Sequence, residues 1–552
     1  MKLTSLRIAA AVASVSTVLL LGIGAPAALG APAPAPTVPV SLVDPAAGVQ
    51  LDIHKYLGTP TGQPNNGTEQ TVSRPPLKGV VFDVFQVYYD SARSNPINLT
   101  TNAGWTSAAA VTGYTPTQAQ ITAGSFVIGG TTYYLGTSVP VTTGTDGTAS
   151  FNKPAGAGLY LVNENLAASG PTVQQCPGGV CTDVPTSQVT PSNPFFVTLP
   201  MTHPVNLNTW MYQVHVYPKN QQDTATKSVA DQGTQTAEGS DRGGDHTIMF
   251  TINTSITDGM TVAQMQKYVI TDTLDSRLSS PVVKVYTSAD GTGGGLSPAL
   301  TPVTDYVLSG NVVITLTDAG LAKLVAANNA NAAATVVTTI EASVDTEGNG
   351  TISNTAYVIP NQAWADAHPG QPGTPTNPTQ TKYGDLRIIK AAVPAVTDPS
   401  VMAGAEFAVY LDPTPATGCT AADVTTSVSN PVIGTAVTDA TAKATVKGLQ
   451  TSDFYNGQTQ TDLQQYCLVE TKAPVGYNLN PQAIQFTILQ GSATAEIPAF
   501  EELTVNNQKT NLGNELPITG GGGVAALSVG GLLLVGGGLA YYFVSTRRRH
   551  NV

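Results

Sequence analysis

Short segments with a period of two residues run through almost the whole chain and restrict what it can fold into. Threonine- and valine-rich runs alternate apolar with polar side chains and are separated by Gly, Pro, Asn and Asp turns, whereas long amphipathic helical patterns are few. This pattern is typical of strands that bury one face. We therefore predict an all-β protein built of sandwich-like, immunoglobulin-like domains.

The 552-residue chain is too long for one hydrophobic core and suits about three domains. Breaks are predicted just after Asn220 and within the proline-rich stretch from Ile359 to Gly384, which has the composition of a linker. The predicted β-sandwich domains are a first region (residues 31–220), a middle region that includes the linker (221–380) and a third region (381–510).

Both ends of the chain carry segments that direct a protein out of the cell. Residues 1–30 combine a basic start, an apolar run and small residues at a plausible cleavage point, which is the pattern of a secretory signal peptide. Residues 511–552 contain an LPITG motif, then an apolar stretch from Val524 to Val544 that is long enough to cross a bilayer, and a basic tail. A single-span membrane anchor is one interpretation. The order of these segments also resembles the cell-wall sorting signal of Gram-positive surface proteins, in which the motif is Leu516, Pro517, Ile518, Thr519 and Gly520.

Charge and cysteine content narrow the possible partners. Only 11% of residues are charged, the net charge is -12 and no basic cluster lies outside the C-terminal tail, which argues against a nucleic-acid partner. In an oxidising compartment the cysteines form two plausible disulfides, Cys176 with Cys181 and Cys419 with Cys467. A metal site is the alternative, but no histidine lies near either pair with ligand spacing. We predict neither a metal nor a cofactor.

A set of three polar residues recurs on apolar strand faces in each predicted domain. A lysine near the start shares its face with apolar residues, an asparagine near the end does the same, and an acidic residue lies in an apolar run between them. Burying a lone charged lysine costs free energy, so three such lysines indicate a functional role. The sets are Lys55, Glu164 and Asn220; Lys227, Asp272 and Asn354; and Lys390, Glu470 and Asn507.

These residue types can form a covalent cross-link. Burial lowers the pKa of a lysine and raises that of a carboxyl group, so a neutral amine can attack the asparagine amide carbon while the acid binds the developing oxyanion and transfers protons until ammonia leaves. We predict isopeptide bonds between Lys55 and Asn220, Lys227 and Asn354, and Lys390 and Asn507, with Glu164, Asp272 and Glu470 as the promoting acids. A buried lysine–carboxylate ion pair is the alternative in each set.

One further lysine lies in the alternating stretch WMYQVHVYPKN, from Trp210 to Asn220. If the alternation continues past Pro218, Lys219 points to solvent and Asn220 points to the core. The usual role of an exposed lysine is that of a solvated charge.

WMYQVHVYPKN, the LPITG segment and YCLVETKAPVGY (Tyr466 to Tyr477) together resemble the major shaft pilins of sortase-assembled Gram-positive fimbriae, in particular the three-domain actinobacterial type. YPKN matches the pilin motif of that family, and YCLVETKAPVGY matches its E-box, which carries the acid of a CnaB-type domain. The resemblance implies CnaB-type folds and a cell-wall-anchored fimbria that supports adhesion. It also implies that a class C pilus sortase cuts after Thr519 and joins the new carboxyl group to Lys219 of another subunit.

The resemblance further implies which partners the chain has. They are the class C sortase, other copies of the chain, cell-wall peptidoglycan, a minor tip pilin and an unidentified host or bacterial receptor. A monomeric wall-anchored adhesin or a minor pilin is the alternative, and a monomeric adhesin would not need Lys219. An extracellular enzyme finds little support, because the sequence has no GxSxG or HExxH motif. The only catalysis implied is the single-turnover formation of the chain's own cross-links.

Overall fold

The computed structural model describes residues 42–59, 61–231, 247–289, 296–344, 350–427, 430–490 and 499–510, together with helical residues 531, 532, 534–539 and 541. The predicted signal peptide, the LPITG motif and most of the predicted membrane-spanning stretch lie outside these residues. Within the described part of the chain, no helix is both long enough and apolar enough to cross a membrane.

Strands are the main regular elements of the first region, and short helices occur in its connections. The elements up to Gln222 are β1 (Val49–His54), β2 (Tyr56–Leu57), β3 (Leu77–Lys78), β4 (Val81–Tyr88), α1 (Asn102–Thr112), α2 (Gln118–Ala123), β5 (Ser125–Ile128), β6 (Thr131–Leu135), β7 (Val139–Thr142), β8 (Thr148–Lys153), β9 (Gly158–Glu164), α3 (Leu166–Ser169), β10 (Thr172–Gln175), β11 (Thr182–Pro185), β12 (Val189–Thr190), β13 (Phe195–Leu199), β14 (Met201–Thr202), β15 (Trp210–Met211), β16 (Gln213–Val216) and β17 (Lys219–Gln222).

Two sheets of the first region contribute to its main core. One has the order β16-β1-β8, in which β1 is parallel to β16, and the other has the order β13-β9-β4-β6-β5. Leu51 and Ile53 of β1 cluster with Phe82 of β4 and Val162 of β9. Alternate residues of β9 belong to a second cluster that includes side chains of α1 and α2. Strand β9 is therefore buried on both faces and shows no alternation of burial.

The middle region is a two-sheet sandwich. Its sheets have the orders β18-β19-β25-β21-β22 and β23-β24-β20-β27-β28, and both contribute to one hydrophobic cluster. Alternation is clear in β19, where Ile248, Phe250 and Ile252 are buried. The elements are β18 (Ala225–Ala230), β19 (Thr247–Ser255), α4 (Val262–Met265), β20 (Val269–Asp272), β21 (Leu278–Ser288), β22 (Leu296–Ala299), β23 (Tyr306–Ser309), β24 (Val313–Leu316), α5 (Asp318–Ala330), β25 (Thr335–Val344), β26 (Gly350–Asn354), β27 (Ala356–Ile359), α6 (Gln362–Ala367) and β28 (Thr374–Pro375).

The third region is a smaller sandwich. Strand β29 pairs with β26, β32 and β37, and the second sheet has the order β31-β30-β35-β36. Because β26 belongs to the middle region, the long strand β29 connects the two regions through one backbone ladder. The elements are β29 (Thr379–Val393), β30 (Glu406–Asp412), β31 (Gly434–Val437), β32 (Lys443–Gln450), β33 (Phe454–Tyr455), β34 (Gln458–Thr459), β35 (Gln465–Lys472), β36 (Ile484–Phe486) and β37 (Ala499–Gln508). The predicted multi-domain β-sandwich class is confirmed.

The proline-rich stretch is more ordered than its linker composition suggests. It forms α6, β28 and the start of β29, and α6 packs back onto the first region. Trp364 is fully buried, and its indole nitrogen donates a hydrogen bond to the carbonyl of Ser187 at 3.0 Å. The nearby Thr374 hydroxyl donates to the same carbonyl at 2.8 Å. This stretch therefore joins the first and middle regions, because burial of Trp364 and these hydrogen bonds outweigh the flexibility that its prolines and glycines suggest.

Candidate functional site

The first lysine–acid–asparagine set meets at one buried point. Lys55 follows β1, Glu164 ends β9, and Asn220 lies on β17, which runs parallel to β2. The three residues are 0%, 7% and 0% exposed. The Lys55 amine lies 2.6 Å from Glu164 Oε2, and the Asn220 amide nitrogen donates to Glu164 Oε1 at 2.5 Å. The carboxyl group of Glu164 thus contacts both the amine and the amide.

Ser192, which sequence reasoning missed, completes this set. Its backbone N–H donates to Glu164 Oε2 at 2.9 Å and to Asn220 Oδ1 at 3.0 Å. Its hydroxyl donates to Glu164 Oε2 at 2.8 Å and accepts from the Lys55 amine at 3.1 Å. A backbone donor on the Asn220 oxygen polarises the amide carbon and stabilises charge that develops on that oxygen. No local pattern identifies Ser192, because it lies in the irregular segment between β12 and β13.

The second set has the same arrangement in the middle region. Lys227 on β18, Asp272 at the end of β20 and Asn354 at the end of β26 are 4%, 0% and 3% exposed. The Lys227 amine lies 2.5 Å from Asp272 Oδ2, and the Asn354 amide nitrogen donates to the same oxygen at 3.4 Å. Among the described residues, Asn354 Oδ1 and Asp272 Oδ1 have no hydrogen-bond partner.

Asn377, another residue that sequence reasoning missed, holds the backbone of this lysine. Its side-chain oxygen accepts from the Lys227 N–H at 2.9 Å, and its side-chain nitrogen donates to the Lys227 carbonyl at 2.8 Å. The asparagine thereby replaces a neighbouring strand at that position, which satisfies backbone groups that would otherwise lack partners.

The third set joins the first and last strands of its domain. Lys390 on β29 and Asn507 on β37 lie on paired parallel strands, and Glu470 comes from β35. The three residues are 2%, 1% and 3% exposed. The Lys390 amine donates to Asn507 Oδ1 and lies 3.1 Å from Glu470 Oε1, while the Asn507 amide nitrogen lies 2.9 Å from each carboxyl oxygen. Glu470 also accepts from the backbone N–H of Asn480 at 2.7 Å.

Burial changes the acid–base behaviour of the three lysines. Desolvation lowers the pKa of Lys55, Lys227 and Lys390, and the paired carboxylate only partly opposes that effect. A lowered pKa increases the fraction of neutral, nucleophilic amine. A phenylalanine ring faces each amine and helps to exclude water. The rings, with their distances from the amine nitrogen, are Phe82 at 5.4 Å, Phe250 at 4.6 Å and Phe407 at 5.7 Å.

The three sets share a geometry that suits proton transfer. In each, one carboxyl group contacts both the lysine nitrogen and the asparagine amide nitrogen. A group in that position can take a proton from the attacking nitrogen and deliver it to the leaving nitrogen. The same contacts also allow a buried ion pair, so the chemistry of the sets requires a separate test.

Lys219 lies next to the first set but outside it. Its side chain is half-buried rather than fully exposed, because its amine turns back to donate to the Tyr217 carbonyl at 3.1 Å. Partial burial lowers the pKa of Lys219, and the positive charge of Arg74 lowers that pKa further. Asn220 points to the core, as the alternation predicts. Tyr217 has the same parity as Lys219 but is buried, because its ring stacks on His54 and its hydroxyl accepts from the Gln70 N–H.

Both predicted disulfides are confirmed. Cys176 is bonded to Cys181, and Cys419 is bonded to Cys467. The second bond closes a loop over 48 residues and lies on β35, three residues before Glu470. It therefore fixes the strand that carries the acid of the third set.

Comparisons with known proteins agree with this architecture. Residues 46–221 match the family model of the Gram-positive pilin subunit D1, N-terminal domain, and residues 395–502 match that of a prealbumin-like fold domain. The fimbrial subunit type 1 of Actinomyces viscosus is 33% identical over 518 residues, which cover 87% of this chain and 87% of that protein. The full-length major pilin SpaD of Corynebacterium diphtheriae has a similar fold, with a TM-score of 0.57 and 23% identity over 85% of this chain and 99% of that one. The major pilin SpaA of the same organism gives a TM-score of 0.52, with 22% identity over 84% of this chain and 100% of that one.

Proposed function

The chain belongs to the Gram-positive pilin family, the subunits of surface fimbriae, and from this membership we propose that it is the repeated shaft subunit of a covalent, cell-wall-anchored polymer. The observation that carries the proposal is the contrast between two consecutive residues. Asn220 is fully buried within the first set, while Lys219 remains accessible beside it with a lowered pKa. An acceptor for another protein chain requires this combination of access and reactivity.

The joining reaction uses the C-terminal LPITG motif of one subunit and Lys219 of another. A class C sortase cleaves the bond between Thr519 and Gly520 and holds the Thr519 carbonyl as a thioester. The neutral amine of Lys219 on a second copy attacks that carbonyl, the sortase thiol leaves and an amide remains. The last subunit is joined to cell-wall peptidoglycan. Because donor and acceptor are different segments of the chain, the contact between copies is heterologous, and its repetition produces a filament when the contact does not close on itself.

The three buried sets form the internal cross-links of each subunit. The amine of Lys390 bonds to the side-chain carbonyl carbon of Asn507, the carbon–nitrogen bond of the amide breaks and one ammonia leaves, with Glu470 transferring the proton. Lys227 with Asn354 and Asp272, and Lys55 with Asn220 and Glu164, react in the same way. The fold holds the amine against the amide at a high effective molarity, which free amines and amides do not reach in water.

These bonds suit a fibre under tension. The third set connects β29 to β37, the first and last strands of the third region, so pulling force passes through the cross-link rather than through the hydrogen bonds of the sandwich. A cross-link also restricts the unfolded chain, as a disulfide does.

Polymer formation is tested by comparing cell-wall extracts after boiling in detergent and reducing agent. Cells that express the wild type should give a ladder of high-mass species, and Lys219→Ala should give monomer. Lys78→Ala, which removes an exposed lysine of the same region, is the matched control and should retain the ladder. A ladder that persists in Lys219→Ala would refute the proposal that Lys219 is the acceptor of the bond between subunits. Monomer from all three strains would favour a wall-anchored adhesin.

A further inference from the structure

One strand of the middle region, β18, has a buried aspartate just beyond each of its ends. Asp223 precedes the strand and Asp231 follows it. Both share the parity of Lys227, and Asp223, Asp231 and Lys227 are 3%, 0% and 4% exposed. At about 3.3 Å per residue, the two aspartates lie roughly 26 Å apart along the strand. Each aspartate therefore occupies a different place in the fold, and each contacts a different neighbouring region.

Asp223 lies where the middle region meets the first region. The Thr190 hydroxyl, on β12 of the first region, donates to Asp223 Oδ2 at 2.6 Å. The Thr257 hydroxyl, from the middle region, donates to Asp223 Oδ1 at 3.2 Å. The side-chain nitrogen of Asn361, in the proline-rich stretch, donates to both hydroxyls at 2.9 Å. We name these four residues the first junction, because one carboxyl group connects parts of two regions.

Asp231 lies where the middle region meets the third region. The hairpin of β33 and β34 turns at Asn456 and Gly457, and both residues have the positive φ of a type I′ turn. The Asn456 N–H donates to Asp231 Oδ2 at 2.6 Å, and the Asn456 side-chain oxygen accepts from the Asp231 N–H at 2.7 Å. The Thr381 hydroxyl, on β29, donates to Asp231 Oδ1 at 2.5 Å. We name Asp231, Thr381 and Asn456 the second junction.

Burial makes both carboxyl groups resist ionisation. It raises the pKa of Asp223 from 3.8 to about 7 and the pKa of Asp231 from 3.8 to about 6, and the hydrogen bonds that each accepts only partly oppose this. Tyr268 faces the first junction, and Tyr383 and Tyr466 face the second. Burial raises the pKa of these three hydroxyl groups as well, so they stay neutral from acid to neutral pH.

The charged groups of the neighbouring strands have their own places. Lys227 lies between the two aspartates on the same face of β18 and pairs with Asp272 at 2.5 Å. Asp385 lies two positions beyond Tyr383 on the same buried face of β29. A carboxylate there disfavours a second negative charge nearby, which is the same direction as the effect of burial on Asp231.

Opening of a junction lets water reach its carboxyl group, so the pKa returns towards the ordinary value of an aspartate. The closed junction therefore holds a proton that the open junction releases. The contribution of this proton to closure is fully present below pH 3.8 and is lost as the pH rises through the pKa of the closed state. Between those limits, the ratio of closed to open junctions falls about tenfold for each pH unit.

We propose that Asp223 and Asp231 are two acid latches, which hold the junctions on either side of the middle region closed in acid and loosen them towards neutral pH. Both latches lie at the ends of one strand, so acid restrains the middle region against both of its neighbours. In the proposed fibre, each subunit is then stiffest in acid. The latches themselves need no joint between subunits.

Hydrogen exchange of unjoined subunits, measured by mass spectrometry and corrected for the effect of pH on the chemical exchange rate, tests the latches. The Asp258 N–H donates to Gln221 Oε1 between the first and middle regions, and the Asn456 N–H donates to Asp231. From pH 5 to pH 8, protection should fall about a hundredfold at Asp258 and about tenfold at Asn456. The fall should level off above about pH 7 at Asp258 and above about pH 6 at Asn456. Residues 248–252 of β19 should keep their protection.

Variants that cannot ionise should each act on one junction. Asp231→Asn should keep Asn456 protected at pH 8 and leave the fall at Asp258 unchanged, and Asp223→Asn should do the reverse. Asp462→Asn, at an exposed position close to the hairpin, is the matched control and should behave as the wild type. A fall at Asn456 that persists in Asp231→Asn would overturn the second latch.

The wild type alone also decides the matter if a variant does not fold. Equal protection at pH 5 and pH 8 overturns the proposal, and so does an equal fall in β19, which indicates general unfolding. A single levelling-off point shared by Asp258 and Asn456 overturns the assignment to two separate carboxyl groups. Because the subunits are unjoined, none of these outcomes depends on the bond at Lys219.

Discussion

Lys390 and Asn507 lie on neighbouring parallel strands, and the amine of Lys390 donates to the side-chain oxygen of Asn507 beside the carboxyl group of Glu470. The two residues are 117 positions apart in the chain. One contact therefore joins the beginning and the end of the third region at a point from which water is excluded.

We expect Asn507→Ala to remove the cross-link of the third region and to lower its stability. A covalent loop of this length contributes about 4 to 5 kcal/mol by restricting the unfolded chain. The intact mass of the wild type should be one ammonia lower for each bond formed, and the variant should lose one fewer ammonia. Asn506→Ala, at the adjacent exposed position, should keep the wild-type deficit. An equal mass deficit and equal thermal stability in Asn507→Ala would contradict the cross-link.

We expect Arg74→Gln to slow polymer formation at neutral pH. Arg74 is the charged neighbour that lowers the pKa of Lys219, after partial burial. Without it the pKa rises, a smaller fraction of Lys219 is neutral and the joining rate falls by about twofold to fivefold. The rate-versus-pH profile should move to higher pH. Lys78→Gln removes the same charge from a nearby exposed position and should leave the profile unchanged.

Asp223 should make the junction of the first and middle regions more stable in acid. Burial raises the pKa of Asp223 from 3.8 to about 7, and hydrogen bonds from Thr190 and Thr257 only partly oppose this. Its stabilising contribution is fully present below pH 3.8 and is lost as the pH rises through about 7.

The difference in unfolding free energy between Asp223→Asn and the wild type tests the direction of this pH dependence. The variant should gain about 2 to 4 kcal/mol relative to the wild type between pH 5 and pH 8, because it cannot ionise. Denaturant titrations at both pH values measure the change. The exposed Asp183→Asn is the control and should show no such gain. Parallel pH profiles of Asp223→Asn and the wild type would refute the prediction.

We expect Trp364→Ala to detach the proline-rich stretch from the first region. Truncating a fully buried tryptophan costs about 3 to 5 kcal/mol, and here the hydrogen bond to Ser187 is lost as well. Limited proteolysis should then cut between Ile359 and Gly384 at least tenfold faster. Gln371→Ala, at an exposed position of the same stretch, should be cut at the wild-type rate. Equal cutting of both variants would show that Trp364 does not hold the stretch.

Local pattern was sufficient to locate the members of the buried sets. Leu51, Ile53 and Lys55 share one parity, and all three are fully buried. The prediction succeeds because successive side chains of a strand point to opposite faces, so a polar residue that shares parity with core residues enters the core with them. At Tyr217 the rule fails, since the segment around Gln70 covers the outer face there.

Amino-acid composition predicted the order of a segment less well than side-chain alternation predicted burial. The stretch from Ile359 to Gly384 has linker composition, yet Trp364 is buried in it. Composition reports the intrinsic flexibility of a segment, but order depends on whether another surface is available to pack against. That surface belongs to the first region, and nothing in the stretch itself identifies it.

Side-chain alternation within short segments is enough to predict the β-sandwich class, the buried faces of the strands and the reactive residue types on those faces. Long-range packing places Ser192 at the first set and Asn377 against Lys227. It also places residues 473–479 against the strand end at residues 508–510. Those partners lie far apart in the chain or in irregular segments, where no periodicity exists. The strand pairing of the fold brings them together, and that pairing depends on long-range packing.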